Sequence, residues 1–348
     1  MKTAWMAALL TLCVGWMGAA GAYDAPENES IWPRIADGMR IVDPEQPDTV
    51  MWARRYARQP AAFAAMLARS EPFLWYIVEA VELREMPLEL ALLPAVESGF
   101  DPKARSAAKA RGLWQFVPWT GRALGLSRTA NYDARNDPVA STRAALGYLQ
   151  DLNDRFDDWL LAVAAYNVGD ARLASALRRQ EGSRFWDLAD LPRETREHVP
   201  RLLGVALLVK QPERFGVVLP EIANRQAAEL VRLPRAINLE QAAQDARIAD
   251  DLLEHYNPGL KDAANTSGKK VVLLPPAEAS RLREVLAASQ YPPEPMAQTV
   301  EHVVRPGDSL WSIARRYQVS VRELRSWNDL GTKAVLRPGR RLQLRIES

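Results

Sequence analysis

The chain holds one cysteine, Cys13, in 348 residues. It lies inside the first apolar run, so removal of that run would leave no thiol for a disulfide framework or for cysteine catalysis. Histidine is almost as scarce. His198, His255 and His302 are far apart and show no metal-ligand spacing, so they read as surface or satisfied-core residues rather than a zinc site. No cofactor is expected. Beyond the N-terminus no apolar run approaches the roughly 18 residues that span a bilayer. No glycine-rich phosphate loop follows a strand, and no nucleophilic serine elbow is present.

What is present describes an ordinary globular protein, with 48 % apolar and 25 % charged residues and length enough for two or three domains. Lys2 precedes the apolar run Ala4 to Ala20, and Ala20-Gly21-Ala22 offers the small residues of a cleavage site. Residues 1–22 are therefore expected to be a signal peptide, with a retained anchor as the competing view. Residues 23–72, with Pro26, Pro33, Pro44, Pro47 and Pro60, read as an extended leader with one short helix near Thr49 to Arg58.

The stretch Leu90 to Leu126 carries the chemistry. Leu83, Met86, Leu90 and Leu93 recur in steps of three and four, and Glu97 falls on the next step of that stripe. A carboxyl on a buried stripe loses hydration and is pushed towards its protonated form, the state a general acid needs. Glu82, Glu85 and Glu89 lie off the stripe and read as a solvated face. Pro94 predicts a kink one turn before Glu97. The chain then turns at Ser98-Gly99 and Asp101-Pro102 and passes Ser106 to reach Gly112-Leu113-Trp114-Gln115-Phe116, where Gln115 offers a donor and an acceptor. An acid beside an amide and aromatic faces suits a sugar. The plainer reading pairs Glu97 with Arg105 or Arg111.

Further helices are predicted at Trp119 to Ala123, Pro138 to Arg155 and Trp159 to Asn167, with Asp137 or Asn136 capping the second and Gly169 ending the third. No convincing alternating strand precedes residue 270, so any small hairpin would come from the stretch after Glu97. Tyr166 ends the apolar helix from Trp159, and its hydroxyl is a candidate to orient Glu97 or to hold a sugar. Asn167 either binds carbohydrate or caps the local turn. Trp114, Trp119 and Trp159 are stacking candidates, though large aromatics in a helical domain are more often core.

Taken together, PAVESGF, Ser106, GLWQFVPWTG and Ala165-Tyr166-Asn167-Val168-Gly169 resemble the motif set of the lytic transglycosylases with a goose-lysozyme-like catalytic domain, of the membrane-bound type D that carries LysM modules. The resemblance implies a mainly α fold, a lysozyme-like helical catalytic domain over 73–212 followed by small βααβ LysM modules. It implies that Glu97 protonates the bond between N-acetylmuramic acid and N-acetylglucosamine and then acts as base, giving a 1,6-anhydro product without water. By the same correspondence Gln115 holds substrate near the cleavage point, Ser106 hydrogen-bonds Glu97 or the muramic side chain, and Tyr166 supports the acid. Relatives acylated at cysteine carry a small residue before it. Here Leu12 precedes Cys13, which departs from that pattern, so membrane association is expected only if the signal segment is retained or Cys13 is acylated.

In the middle region, 213–290, Leu239, Ala243, Ile248, Leu253, Tyr256 and Asn257 match the spacing of Leu310, Ala314, Val319, Leu324, Trp327 and Asn328. It reads as a degenerate LysM-like unit, joined by the stiff linker 291–298 to residues 299–345. That last segment resembles a LysM domain, and the resemblance implies glycan binding beside the loop Gly307-Asp308-Ser309-Leu310. Asp308 or Ser309 is its expected helix cap. Residues 299–345 carry a net charge of +6 and residues 3–298 carry −4. A basic module suits anionic wall polymers, and no nucleic-acid motif accompanies the arginines. The expected partner is the peptidoglycan glycan strand in the periplasm or cell envelope. A hydrolytic muramidase and an inactive wall-binding scaffold are the alternatives.

Overall fold

The computed structural model describes residues 29–179, 184–233, 237–261, 263, 266, 271–288, 298–317, 319, 321–328, 330 and 336–346. The expected signal segment 1–22 with Cys13, and positions 291–297 of the linker, lie outside them.

The chain is mainly helical. Helices α1 (Ile31–Asp37), α2 (Pro47–Ala57), α3 (Pro60–Ala68) and α4 (Glu71–Glu82) come first. A 3-10 turn, Leu88–Leu92, then leads into the short α5 (Leu93–Glu97). Helices α6 (Pro118–Ala123), α7 (Pro138–Phe156), α8 (Trp159–Val168), α9 (Asp170–Arg179) and α10 (Arg193–Lys210) complete the helical part. Asp137 caps α7 by accepting from the N–H groups of Val139 and Ala140, with Pro138 in the first turn as expected. Helix α8 is apolar nearly all round, and Leu161 to Ala165 are buried because other elements surround it.

Two expectations fail here. The leader expected over 23–72 is helical from Ile31 and belongs to the catalytic domain's core, with Ile31, Ile35 and Leu67 fully buried. Its prolines misled the reading: Pro47 and Pro60 occupy first helical turns, where a missing N–H costs nothing. Helix α2 lies against α10 so closely that a Cβ on Gly204 would sit 2.8 Å from Trp52 Cβ and 2.9 Å from Ala53 N. The single kinked helix expected from Leu83 to Glu97 is also absent. Helix α4 ends at Leu83, which is 52 % exposed, and Glu85 takes a left-handed φ of 55°.

That break rotates the following residues relative to a continuous helix. Glu89, read as solvated, is fully buried and accepts from the backbone N–H groups of Arg40, Ile41 and Val42 at 3.1, 2.7 and 2.9 Å. The 3-10 geometry, with three residues per turn, carries it off the face that a 3.6-residue period assigns.

Two small units follow. Strand β1 (Glu229–Arg232), α11 (Leu239–Asp245), α12 (Asp250–Tyr256) and β2 (Val271–Leu274) form the first, with α13 (Pro276–Ala288) behind them. Strand β3 (Gln298–Val303), α14 (Leu310–Arg316), α15 (Val321–Trp327) and β4 (Arg341–Ile346) form the second. Each strand pair is antiparallel. Strand β1 corrects the expectation of no strand before residue 270; at four residues it is too short for alternation to register.

Candidate active site

Glu97 is the last residue of α5, and local geometry fixes it. The N–H of Gly99 donates to Ala95 O, the bond of an αL helix ending, with Gly99 at φ 61°, and the N–H of Phe100 donates to Pro94 O. Ser98 Oγ lies 2.9 Å from Leu113 O, tying the end of α5 to the following loop. The carboxyl side chain is 14 % exposed, and its Oε1 lies 2.9 Å from His198 Nε2 on α10. The partner is thus His198 and not the expected Arg105 or Arg111; Arg111 approaches Asp133 at 4.0 Å.

The loop after Glu97 forms the only β-like structure near the acid among the described residues, with isolated bridges at Arg105–Arg111 and Arg111–Phe116. The small hairpin, sought after Glu97, is reduced to these bridges. Ser106 is exposed at the tip, where its Oγ accepts from Ala110 N at 3.1 Å rather than binding Glu97. Gln115 adopts φ 48°, a left-handed conformation unusual for a residue with a Cβ, and its Nε2 donates to Gly112 O at 2.9 Å. Gly112 has no alternative, since a Cβ there would come within 2.0 Å of Arg135 O. Asp101 is a turn former, accepting from Lys103 N at 2.8 Å.

Arg135 supports this loop from below. Its buried guanidinium donates to Lys109 O at 3.0 Å and Phe116 O at 3.3 Å while pairing with Asp133 at 2.8 Å. Burial works to raise the Asp133 carboxyl, but hydrogen bonds and charge from Arg135 outweigh it and hold it below the usual carboxylate range.

Tyr166 donates from its hydroxyl to Trp114 O at 2.8 Å, and its ring meets Phe116 and Tyr148 at 5.9 and 5.7 Å. Burial, then the charge of Glu97, pushes its hydroxyl well above the usual tyrosine range, so it remains a neutral donor. Asn167 Oδ1 accepts from Thr195 Oγ1 at 2.7 Å, fastening the end of α8 to α10 one turn before His198. Asn167 thus braces the helix pair. Trp114 is core, fully buried with Nε1 bonded to Thr142 Oγ1 at 2.9 Å, and Trp159 is partly buried against the core. Trp119 is 77 % exposed on the first turn of α6.

His198 is the residue the sequence reading missed. Nothing local marks it, because its partner lies 101 positions away. His302 does satisfy the core reading, bonding Asp308 at 2.9 Å and Tyr317 at 3.0 Å. In the C-terminal loop Ser309, not Asp308, caps α14, in a capping box with Ser312. Asp308 accepts from Arg305 N and His302 instead, which lowers its carboxyl below the usual range. Gly307 supplies the φ of 87° that the turn needs, and Leu310 packs on the module's core.

Two family models match the chain: the Transglycosylase SLT domain over residues 77–188 and the LysM domain over residues 302–345. Membrane-bound lytic murein transglycosylase D of Escherichia coli strain K12 is 39 % identical over 354 residues, covering 97 % of this chain and 77 % of that protein. The peptidoglycan transglycosylase of Escherichia phage T7 is 36 % identical over 129 residues, 36 % of this chain and 10 % of that protein. The solved 70 kDa soluble lytic transglycosylase of Escherichia coli overlaps 53 % of this chain and 32 % of its own at TM-score 0.34 and 18 % identity. With 39 % identity running through nearly the whole chain, and both domain models matching in order, the chain belongs to the lytic murein transglycosylases and is a peptidoglycan lytic transglycosylase.

Proposed function

We propose that the enzyme cleaves the bond from N-acetylmuramic acid to N-acetylglucosamine in peptidoglycan strands without water, using Glu97 as acid and then base. The observation that carries this reading is the placement of Glu97, partly exposed at the end of α5 and held at one oxygen by His198, with its neighbour Ser98 bonded to the loop that carries Gln115. With Oε1 held, Oε2 is left to deliver a proton to the glycosidic oxygen. The C1–O bond breaks, and the substrate's own acetamido group stabilises the positive charge developing at C1. Glu97 then removes the proton from the muramic C6 hydroxyl, whose oxygen closes on C1 to give the 1,6-anhydro sugar. One carboxyl suffices because no water has to be activated.

In this account Gln115 and Ser106 contact the strand, and Tyr166 supports the acid as a neutral donor. His198 orients the Glu97 carboxyl and Asn167 fixes the helix pair that presents it. The loop Gly307-Asp308-Ser309-Leu310 binds N-acetylglucosamine-containing glycan and holds the enzyme on the wall. An envelope location follows from that substrate and fits a relative named membrane-bound. Among the described residues no helix is long and apolar enough to cross a membrane.

The test is Glu97→Gln, which keeps shape and removes the proton. Turnover of purified peptidoglycan is expected to fall by about 100-fold or more, with unchanged melting temperature and retention on the wall. Turnover at the wild-type level would overturn the assignment.

A further inference from the structure

The two C-terminal units share more than an order of elements. In the first, Asn257 Nδ2 donates to Leu253 O and Leu273 O while its Oδ1 accepts from Leu273 N, at 3.0, 2.8 and 2.8 Å. In the second, Asn328 makes the same three bonds with Leu324 O, Gln343 O and Gln343 N, at 2.7, 2.8 and 2.6 Å. The strand registers also correspond. Val231 pairs with Val272 as His302 pairs with Leu342, and Leu230 with Leu273 as Glu301 with Gln343. The units are two copies of one fold.

They differ where they would meet something else. Asp308, His302 and Tyr317 form a polar network under the loop of the C-terminal unit. The corresponding positions of the first unit are Ile237, Val231 and Ala246, all buried in its core. The N–H groups of Leu239 and Glu240, at the start of α11, are both taken by Ala263 O from the unit's own chain. On the outer face of the sheet Arg341 and Gln343 are exposed in the C-terminal unit, whereas Val271 and Leu273 pack into the catalytic domain's core, joined by Tyr256, which meets Phe73 at 6.4 Å.

The loop after α12 completes the docking. Asp133 N donates to Gly259 O and Lys261 N to Asn131 O, each at 2.8 Å, so the two domains share a short antiparallel bridge at Tyr132–Leu260. Lys261 Nζ also donates to Thr129 O at 2.9 Å. A Cβ on Gly259 would lie 3.0 Å from Asp133 O and 3.1 Å from Asp137 N, so the fit has no slack.

We propose that residues 229–288 are a wall-binding module fold converted into a fixed brace for the catalytic domain. The bridge fixes Asp133, Asp133 fixes Arg135, and Arg135 holds the carbonyls of Lys109 and Phe116 on either side of the loop carrying Gln115. The unit acts through that loop and does not take up glycan by the route of its C-terminal sister. Its effect on turnover rests on the function proposed above; its docking does not.

Hydrogen exchange on the full chain tests this first. In the wild-type protein the amides of Asp133 and Lys261 are expected to open together with the catalytic core as one unit. Independent opening of residues 229–288 would overturn the brace. Gly259→Val is then expected to speed exchange at Asp133, Arg111 and Gly112. It should lower turnover on the order of tenfold with retention on sacculi unchanged, since the C-terminal module is untouched. Lys261→Met, which removes only an exposed side chain's contacts, moves both readouts the same way by about twofold and carries the test if the valine variant does not fold. Wild-type exchange and turnover in the variants would also overturn it. Exchange is read without catalysis, so an inactive wild-type protein would sink the proposed reaction and leave the brace standing.

Discussion

Glu97 and His198 meet across 101 positions of sequence, and only one of the two announced itself. Glu97 stands at the end of an apolar series beside a turn and an amide-bearing loop, and those neighbours are local. His198 lies among charged residues on α10, where nothing within a few positions refers to Glu97. Replacing His198 by alanine frees the carboxyl to rotate, and kcat on peptidoglycan is expected to fall on the order of 10- to 100-fold. Glutamine, whose amide can reach Glu97, should restore part of that loss. Equal loss in both variants would mark His198 as packing alone. Glu89 was misread for a different reason: the 3-10 turn changes the period, and a carboxyl counted as solvated satisfies three backbone donors. Glu89→Ala leaves those donors unpaired in the core. A cost of about 3 kcal/mol or more is expected in denaturant unfolding, and a loss below about 1 kcal/mol would contradict the role.

At the level of elements, helix α7 was legible to within a few residues because cap, first-turn proline and apolar stripe all agree, and α8 because its apolar run ends at Gly169. The leader was not, because proline marks extended chain and helix starts alike. Helix α7 also carries a charge cost. Burial, then repulsion from Asp154, raises the Asp151 carboxyl to about 7, with Arg315 opposing. A raised folded-state pKa means that Asp151 does not penalise folding below the ordinary carboxylate range, and the penalty grows as pH rises towards 7. Asp151→Asn is therefore expected to raise the melting temperature at about pH 8 and leave it unchanged at about pH 4. A gain that is the same at both pH values would contradict the assignment.

For the whole molecule, the repeat was visible in the spacing of Leu239 to Asn257 against Leu310 to Asn328, since a shared core demands the same apolar positions. What the first copy does was not visible. The answer depends on Val271, Leu273 and Gly259 meeting the catalytic domain, and contacts between domains leave no periodic trace. The same holds for the leader helices, whose burial is decided by α10. The molecule is thus a catalytic domain whose core takes in its N-terminal helices and part of the docked unit, followed by a LysM module. In the proposed reaction the acid returns a sugar closed on itself. Mass spectrometry of the soluble products released from sacculi by the purified protein tests this directly. Muropeptides lighter than hydrolytic ones by one water and resistant to borohydride are expected; reducible products of full mass would show that water, not the C6 hydroxyl, attacks C1.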